Sequence, residues 1–374
     1  MTRLLLLLAA LTAAGCSANP APPSAAAADT LRSYPATDAR IRVMGRHRLD
    51  DGGAVDFAAS GVTFFLKFRG PALDAEMIEQ SGDATAHNWF TVVVDGGEPS
   101  RFRTGPGRSW YALASGLGAG EHTLALSKAT EGQNGHDRLV AVRTTQLLLP
   151  DPLPDRKIEL IGNSITSGFG LDARDVACGK GTWYDEHHAW LAYGPRLARR
   201  LDAQWMLSSV SGIGMHRNWN SPGPVMPRVY DGVYMEYADT TTSWDFRQYT
   251  PDLVVVALGT NDFSAGDGAT PRPELDGDAF VADYTAFLAR VRRNYPRARM
   301  LLLNSPVFDA SMKARLAGYL QRVIDDRLAA GDSAIAAFTF KGQYGAGCSG
   351  HPDLAEHLRM TDELEPVVKA LMGW

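Results

Sequence analysis

From residue 155 to the C-terminus the chain alternates apolar runs with segments of helical spacing, and this alternation narrows the possible folds more than any other feature. The runs occupy residues 158–161, 205–210, 253–258, 300–303 and 335–340. They are apolar with little interruption, as a strand covered on both faces must be. Phe280, Val281, Tyr284, Phe287, Leu288 and Val291 recur at helical intervals, as do Leu316, Leu320, Val323, Ile324 and Leu328. Strands joined through helices pair in parallel, so the spacing predicts an α/β domain over 155–374, a parallel sheet with helices on both faces.

In such a sheet the loops after the carboxyl ends of the strands open into one crevice. Ser164, Gly212, Asn261 and His351 each follow a different strand and enter that crevice in chain order. Taken singly, the first three read as cap or turn residues. Taken together, Gly162-Asn163-Ser164, Ser211-Gly212, Gly259-Thr260-Asn261-Asp262 and His351-Pro352 resemble the blocks of the SGNH (GDSL-like) hydrolases. The resemblance implies a flavodoxin-like sheet. It also implies roles: Ser164 as nucleophile, His351 as its base, and the backbone N–H groups of Ser164 and Gly212 with the Asn261 amide as oxyanion donors. The chemistry fits, because a serine hydroxyl needs a base within reach and the oxyanion formed on an ester carbonyl needs donors fixed in advance. Asp252 and Asp262 are expected to brace their loops.

The sequence departs from that pattern twice. Asn163 stands where an aspartate usually precedes the serine, and Cys348 stands where an acid usually orients the histidine. Cysteine at that place, with Trp244-Asp245-Phe246, Leu191-Ala192-Tyr193-Gly194-Pro195 and a preceding β-domain, resembles carbohydrate esterase family 2. That likeness spans nearly the whole mature chain. It implies a deacetylase of plant polysaccharides, acetyl xylan esterase-like, that works through a serine nucleophile and an acyl-enzyme, with a backbone carbonyl holding the histidine. Asp353 and Glu356 are read as the charged first turn of the last helix, at which Pro352 takes a first-turn position. The alternative is a surface glycan-binding lipoprotein whose esterase fold has lost turnover.

Residues 30–150 read differently. Short β-branched and aromatic runs at 62–68, 90–94, 123–127 and 139–144 are separated by turns such as Asp51-Gly52-Gly53 and Asp95-Gly96-Gly97. No long helical period intervenes, which predicts an all-β sandwich, jelly-roll-like. Trp89 and Trp110 are read as core residues of this domain, and no catalytic residue is read in it. Pro150-Asp151-Pro152-Leu153-Pro154 is a stiff extended connector to the second domain.

At the N-terminus, Arg3, the run Leu4 to Leu8 and small residues before Cys16 predict a signal segment over 1–16 that is too short to span a bilayer. Leu11-Thr12-Ala13-Ala14-Gly15-Cys16 resembles a bacterial lipobox, so Cys16 is a candidate for lipidation, and 17–29, rich in Ala and Pro, reads as a flexible linker. The expected location is secreted, periplasmic or cell-surface, as a lipoprotein of a bacterial envelope. In that oxidising compartment Cys178 and Cys348, the two cysteines left, are expected to pair. A net charge of −5 without blocks of like charge argues against nucleic acid. His187, His188 and Cys348 do not make a recognisable metal spacing, and no phosphate loop or dinucleotide fingerprint is present, so neither metal nor cofactor is expected. The expected partner is an acetylated polysaccharide or oligosaccharide, with membrane contact only through the lipid anchor, and the chain is expected to be a monomer. Trp183 and Trp219, in polar loops after the site blocks, are candidates for sugar binding.

Overall fold

The computed structural model describes residues 30–80, 86–235, 242–269 and 272–374. The expected signal segment, Cys16 and linker lie outside the described residues.

The N-terminal part is antiparallel throughout. Its centre is β1 (Thr63–Glu79), which bends where Gly70, in the left-handed region at φ +119°, meets Pro71. Before the bend β1 pairs with β4 (Glu121–Lys128), and after it with β3 (Gly107–Ala114). β5 (Asp137–Leu148) follows it past the bend with two register shifts, while β2 (Trp89–Val94) extends the sheet from β4. The folded sheet closes on Phe57, Phe64, Phe68 and Phe90, all fully buried. Trp110 departs from the expected core position: it is 36 % exposed on β3, with the Arg143 guanidinium 4.4 Å above its ring. It lies on the outward face of its strand, and Arg143 shelters it there.

After the proline-rich connector the five expected runs form β6 (Arg156–Gly162), β7 (Ala203–Ser209), β8 (Leu253–Ala257), β9 (Arg299–Leu303) and β10 (Ile335–Phe338). All are parallel, in spatial order β7-β6-β8-β9-β10, the flavodoxin-like arrangement. The α/β sheet preceded by a β-domain is therefore what the sequence predicts. Alternate strand residues serve two cores. Ile161, Val254, Val256, Met300 and Leu302 pack with the long helices α2 (Gly277–Asn294) and α3 (Ala310–Ala329). Ile158, Leu160, Val255, Leu301 and Leu303 pack with α1 (Tyr193–Arg200) and α4 (Leu354–Met372). Asp353 caps α4 in a reciprocal box with Glu356, so Pro352 precedes the cap rather than occupying the first turn.

The two parts share an interior. Arg46 from the β-domain is fully buried, 3.2 Å from Glu159 on β6, and donates to Ser208 and to the Tyr230 and Gly232 carbonyls. Trp205 on β7 donates its indole N–H to Gly61 O at 3.1 Å.

Candidate active site

Ser164 opens a single helical turn directly after β6. Asn163 supplies the cap, its side chain accepting the Ile165 N–H at 3.1 Å, so the hydrogen-bonding part of the usual aspartate's work survives without its charge. The turn points the Ser164 hydroxyl at His351, whose Nε2 is 2.8 Å away. The other ring nitrogen of His351 faces Ser349 O at 3.2 Å. A carbonyl can only accept, so Nδ1 carries the hydrogen and Nε2 is free to receive the serine proton. Ser349 reaches this position in the left-handed region at φ +54°, uncommon for a residue with a side chain. Asp353 and Glu356 are occupied with each other and with the Ala346 N–H, so neither takes the carbonyl's place.

Two further supports hold the histidine loop. Cys348 donates its N–H to Gly170 O at 2.8 Å, and its sulfur is bonded to Cys178 in the long loop after Ser164, with Cα atoms 5.3 Å apart. Phe169 packs its ring 4.3 Å from the imidazole. Burial against these groups lowers the His351 pKa to about 4, opposed by its hydrogen bond to Ser349 and reinforced by nearby His187. The ring is thus neutral at pH 7, as a base must be.

Gly212 and Asn261 sit on loops that are tied together. Asn261 donates its side-chain N–H to Ile213 O at 2.7 Å, which leaves the second amide hydrogen available. Gly212 adopts φ +74°, and a Cβ there would touch nothing within 4 Å, so backbone conformation rather than crowding calls for glycine. Among the described residues, neither the Ser164 nor the Gly212 N–H has a hydrogen-bond partner. Asp262 braces the loop after Gly212 by accepting the N–H groups of Met215, His216 and Arg217 at 2.7 to 3.0 Å. Burial raises its pKa against those three bonds. Asp252 accepts the Lys157 N–H at 2.9 Å, at the opposite end of the sheet.

The sequence matches two families in succession. Residues 43–152 match "Carbohydrate esterase 2 N-terminal" and residues 160–339 match the "GDSL-like Lipase/Acylhydrolase family". An acetylxylan esterase / glucomannan deacetylase of Cellvibrio japonicus is 29 % identical over 346 residues, covering 91 % of both chains. Among solved structures, a family two carbohydrate esterase from Cellvibrio japonicus superposes with a TM-score of 0.82 at 27 % identity, over 92 % of this chain and 99 % of that one. One from Clostridium thermocellum, in complex with cellohexaose, gives 0.80 at 30 % identity, over 89 % and 99 %. The chain belongs to carbohydrate esterase family 2.

Family 2 membership makes it a carboxylic ester hydrolase of the GDSL fold. The remaining sequence candidates fall around the Ser164–His351 pair. Trp183 and Trp219 are each 44 % exposed. Trp183 stacks on Phe169 at 5.8 Å, so it lies one ring away from the imidazole. Trp219 donates its backbone N–H to Gly212 O at 2.8 Å. His187 and His188 turn to different acids, Glu131 at 3.1 Å and Asp172 at 2.8 Å, and Cys348 is held in its disulfide.

One group was not read from the sequence. Glu131, in the turn before β5 of the β-domain, is fully buried and reaches the crevice. One carboxylate oxygen is 3.1 Å from His187 Nε2 and the other accepts the Ser211 N–H at 2.6 Å. Gln133, two residues on, donates to Ser211 O at 2.8 Å. The β-domain, in which no catalytic residue is read, thus contacts the loop that carries Gly212. The signal was faint, an acid within Thr130-Glu131-Gly132-Gln133, which reads as an ordinary polar turn.

Proposed function

We propose that the chain is an exported serine esterase that removes O-acetyl groups from plant polysaccharides or oligosaccharides of the xylan or glucomannan kind. The observation that carries this reading is the 2.8 Å contact between Ser164 Oγ and an imidazole whose other nitrogen is held by Ser349 O, in a chain of family 2. Ser164 attacks the acetyl carbonyl as His351 Nε2 takes its proton. The oxyanion is received by the Ser164 and Gly212 N–H groups and the free Asn261 amide hydrogen. Imidazolium then protonates the departing sugar oxygen, leaving an acetyl-serine. Water, deprotonated by the same nitrogen, releases acetate and restores the serine.

Three things support the finer parts of the reading. Relatives named acetylxylan esterase / glucomannan deacetylase and a relative crystallised with cellohexaose point to a β-linked sugar substrate. The two exposed tryptophans, Trp183 stacked on Phe169 and Trp219 bonded to Gly212 O, offer faces on which a sugar ring can lie. The segment from Arg3 to Cys16 supports export and lipid attachment to an envelope. The binding-only alternative rested on the missing acid, and the Ser349 carbonyl in that place removes its main support. The test is release of acetate from acetylated xylan and from 4-nitrophenyl acetate by the wild type and by Ser164→Ala. Hydrolysis that persists in Ser164→Ala overturns the mechanism. Binding of acetylated xylan by a wild type that releases no acetate returns the reading to a binding protein.

A further inference from the structure

We propose that Glu131 and Gln133 are positioning residues through which the β-domain aims the Gly212 N–H at the reacting oxygen. The proposal rests on the serine esterase reading and deepens it.

The Ser211 carbonyl and the Gly212 N–H belong to the same planar trans peptide and point in opposite directions. Whatever fixes one fixes the other. Gln133 donates to Ser211 O at 2.8 Å, and holding that carbonyl sets the direction of the Gly212 N–H on the other edge of the plane. Glu131 accepts the Ser211 N–H at 2.6 Å and so fixes the preceding plane as well. A glycine at φ +74° has more freedom than any other residue to swing its peptide, and external holds are what restrain it.

Glu131 is itself held. His187 at 3.1 Å and Ser167 Oγ at 3.5 Å fix its carboxylate, and the fully buried His187 ring lies 4.7 Å from Phe169, the ring packed on His351. One carboxylate therefore braces both the oxyanion turn and the stack behind the base. The turn that carries it is anchored within the β-domain by the Thr130 hydroxyl on Asn88 Oδ1 and by the 3-10 turn Gly132–Asn134. The hydrolase domain supplies the donor, and the β-domain supplies its aim. Such a contribution costs little in the ground state and matters when charge develops on the oxygen, so its loss should fall on kcat.

Gln133 is exposed, so Gln133→Ala removes the hold without opening the core. The experiment measures kcat and KM for 4-nitrophenyl acetate, the inhibition constant of an alkylboronic acid that forms a tetrahedral adduct on Ser164, and the melting temperature. For Gln133→Ala we expect kcat to fall about tenfold, KM to stay within about twofold and boronate inhibition to weaken in step with kcat, part of the roughly hundredfold value of a whole oxyanion donor. Glu131→Gln keeps an acceptor for the Ser211 N–H and should stay within about threefold of wild type, while Glu131→Ala should fall further than Gln133→Ala. Wild-type kcat and boronate affinity in Gln133→Ala overturn the proposal, as does an effect confined to KM. A Glu131→Gln variant as impaired as Glu131→Ala at unchanged melting temperature also overturns the hydrogen-bonding account. Failure of the esterase reading shows elsewhere, in a Ser164→Ala variant that remains active.

Discussion

In the proposed mechanism His351 accepts the serine proton, and its surroundings then set a definite pH profile. Burial against Phe169 and the cystine loop lowers the His351 pKa from 6.5 to about 4. The acid limb of kcat/KM reports the free enzyme's base. With a pKa of about 4, roughly nine-tenths of the enzyme keeps a neutral imidazole at pH 5. With an ordinary imidazole only about 3 % would, so the two cases differ some thirtyfold at that pH. Activity at pH 5 should therefore stay close to its value at pH 7 and halve near pH 4.

The sign for stability runs the same way. His188 and His357 are also lowered by burial, to about 4 and about 3, so an unfolded chain binds their protons first as pH falls below 6.5. Their contribution to stability is full above that pH and is lost progressively toward pH 3 to 4. The assay is initial-rate acetate release between pH 3.5 and 8, with circular dichroism at each point to separate protonation of the base from unfolding. An acid limb with its midpoint near 6.5 in folded protein would refute the reasoning, since the site would then be too wet to depress the imidazole. Phe169→Ala, which uncovers the ring, should move the limb upward.

Asn261→Ala should reduce kcat by roughly a hundredfold with KM largely kept, the usual result of losing one oxyanion donor; a change confined to KM counts against the role. Trp219→Ala, at a half-exposed residue whose backbone meets Gly212, should lower turnover of acetylated xylan while sparing 4-nitrophenyl acetate; equal losses would mean a damaged loop. Trp183→Ala should impair both substrates, because Trp183 also stacks on Phe169 beside the base. Cys178→Ser, or reduction, releases a closure of 170 residues, worth up to about 5 kcal/mol on the chain-entropy model. The variant should melt lower and lose activity, and two free thiols in the unreduced, denatured mature domain would exclude the bond.

Much of the fold is legible in the sequence because buried parallel strands must be apolar end to end, and the five runs are therefore visible without any knowledge of their partners. Ser164, Gly212, Asn261 and His351 are legible for a related reason: each lies in the stretch that follows a different parallel strand, so order along the chain becomes proximity at one end of the sheet. The β-domain is less transparent. Only the first half of β1 shows as a run, because Gly70-Pro71 reads as a turn, whereas the strand bends there and continues to Glu79. Ser349 O is invisible in principle, since every residue carries a carbonyl and only the left-handed backbone at 349 brings this one to the imidazole.

What the sequence hides most thoroughly is the traffic between the domains. Arg46 and Glu159 are both fully buried and 113 positions apart, and each alone would be assigned to a surface. Removing two such charges from water is costly unless their remaining lone pairs and protons are used. Here they are: Arg46 also donates to Ser208 and two carbonyls, and Glu159 accepts the Ser208 and Tyr230 hydroxyls at 2.5 and 3.0 Å. Such a network tolerates one relative placement of the domains and no sliding. The contacts on Ser211 need that fixity, because Glu131 and Gln133 reach it from the β-domain across the same boundary. A loosely tethered β-domain could still bind sugar, but it could not hold a peptide plane in register. The buried ion pair thus fixes the placement that the proposed aiming of the Gly212 N–H requires, and on that proposal the β-domain serves catalysis without lending an atom to the chemistry.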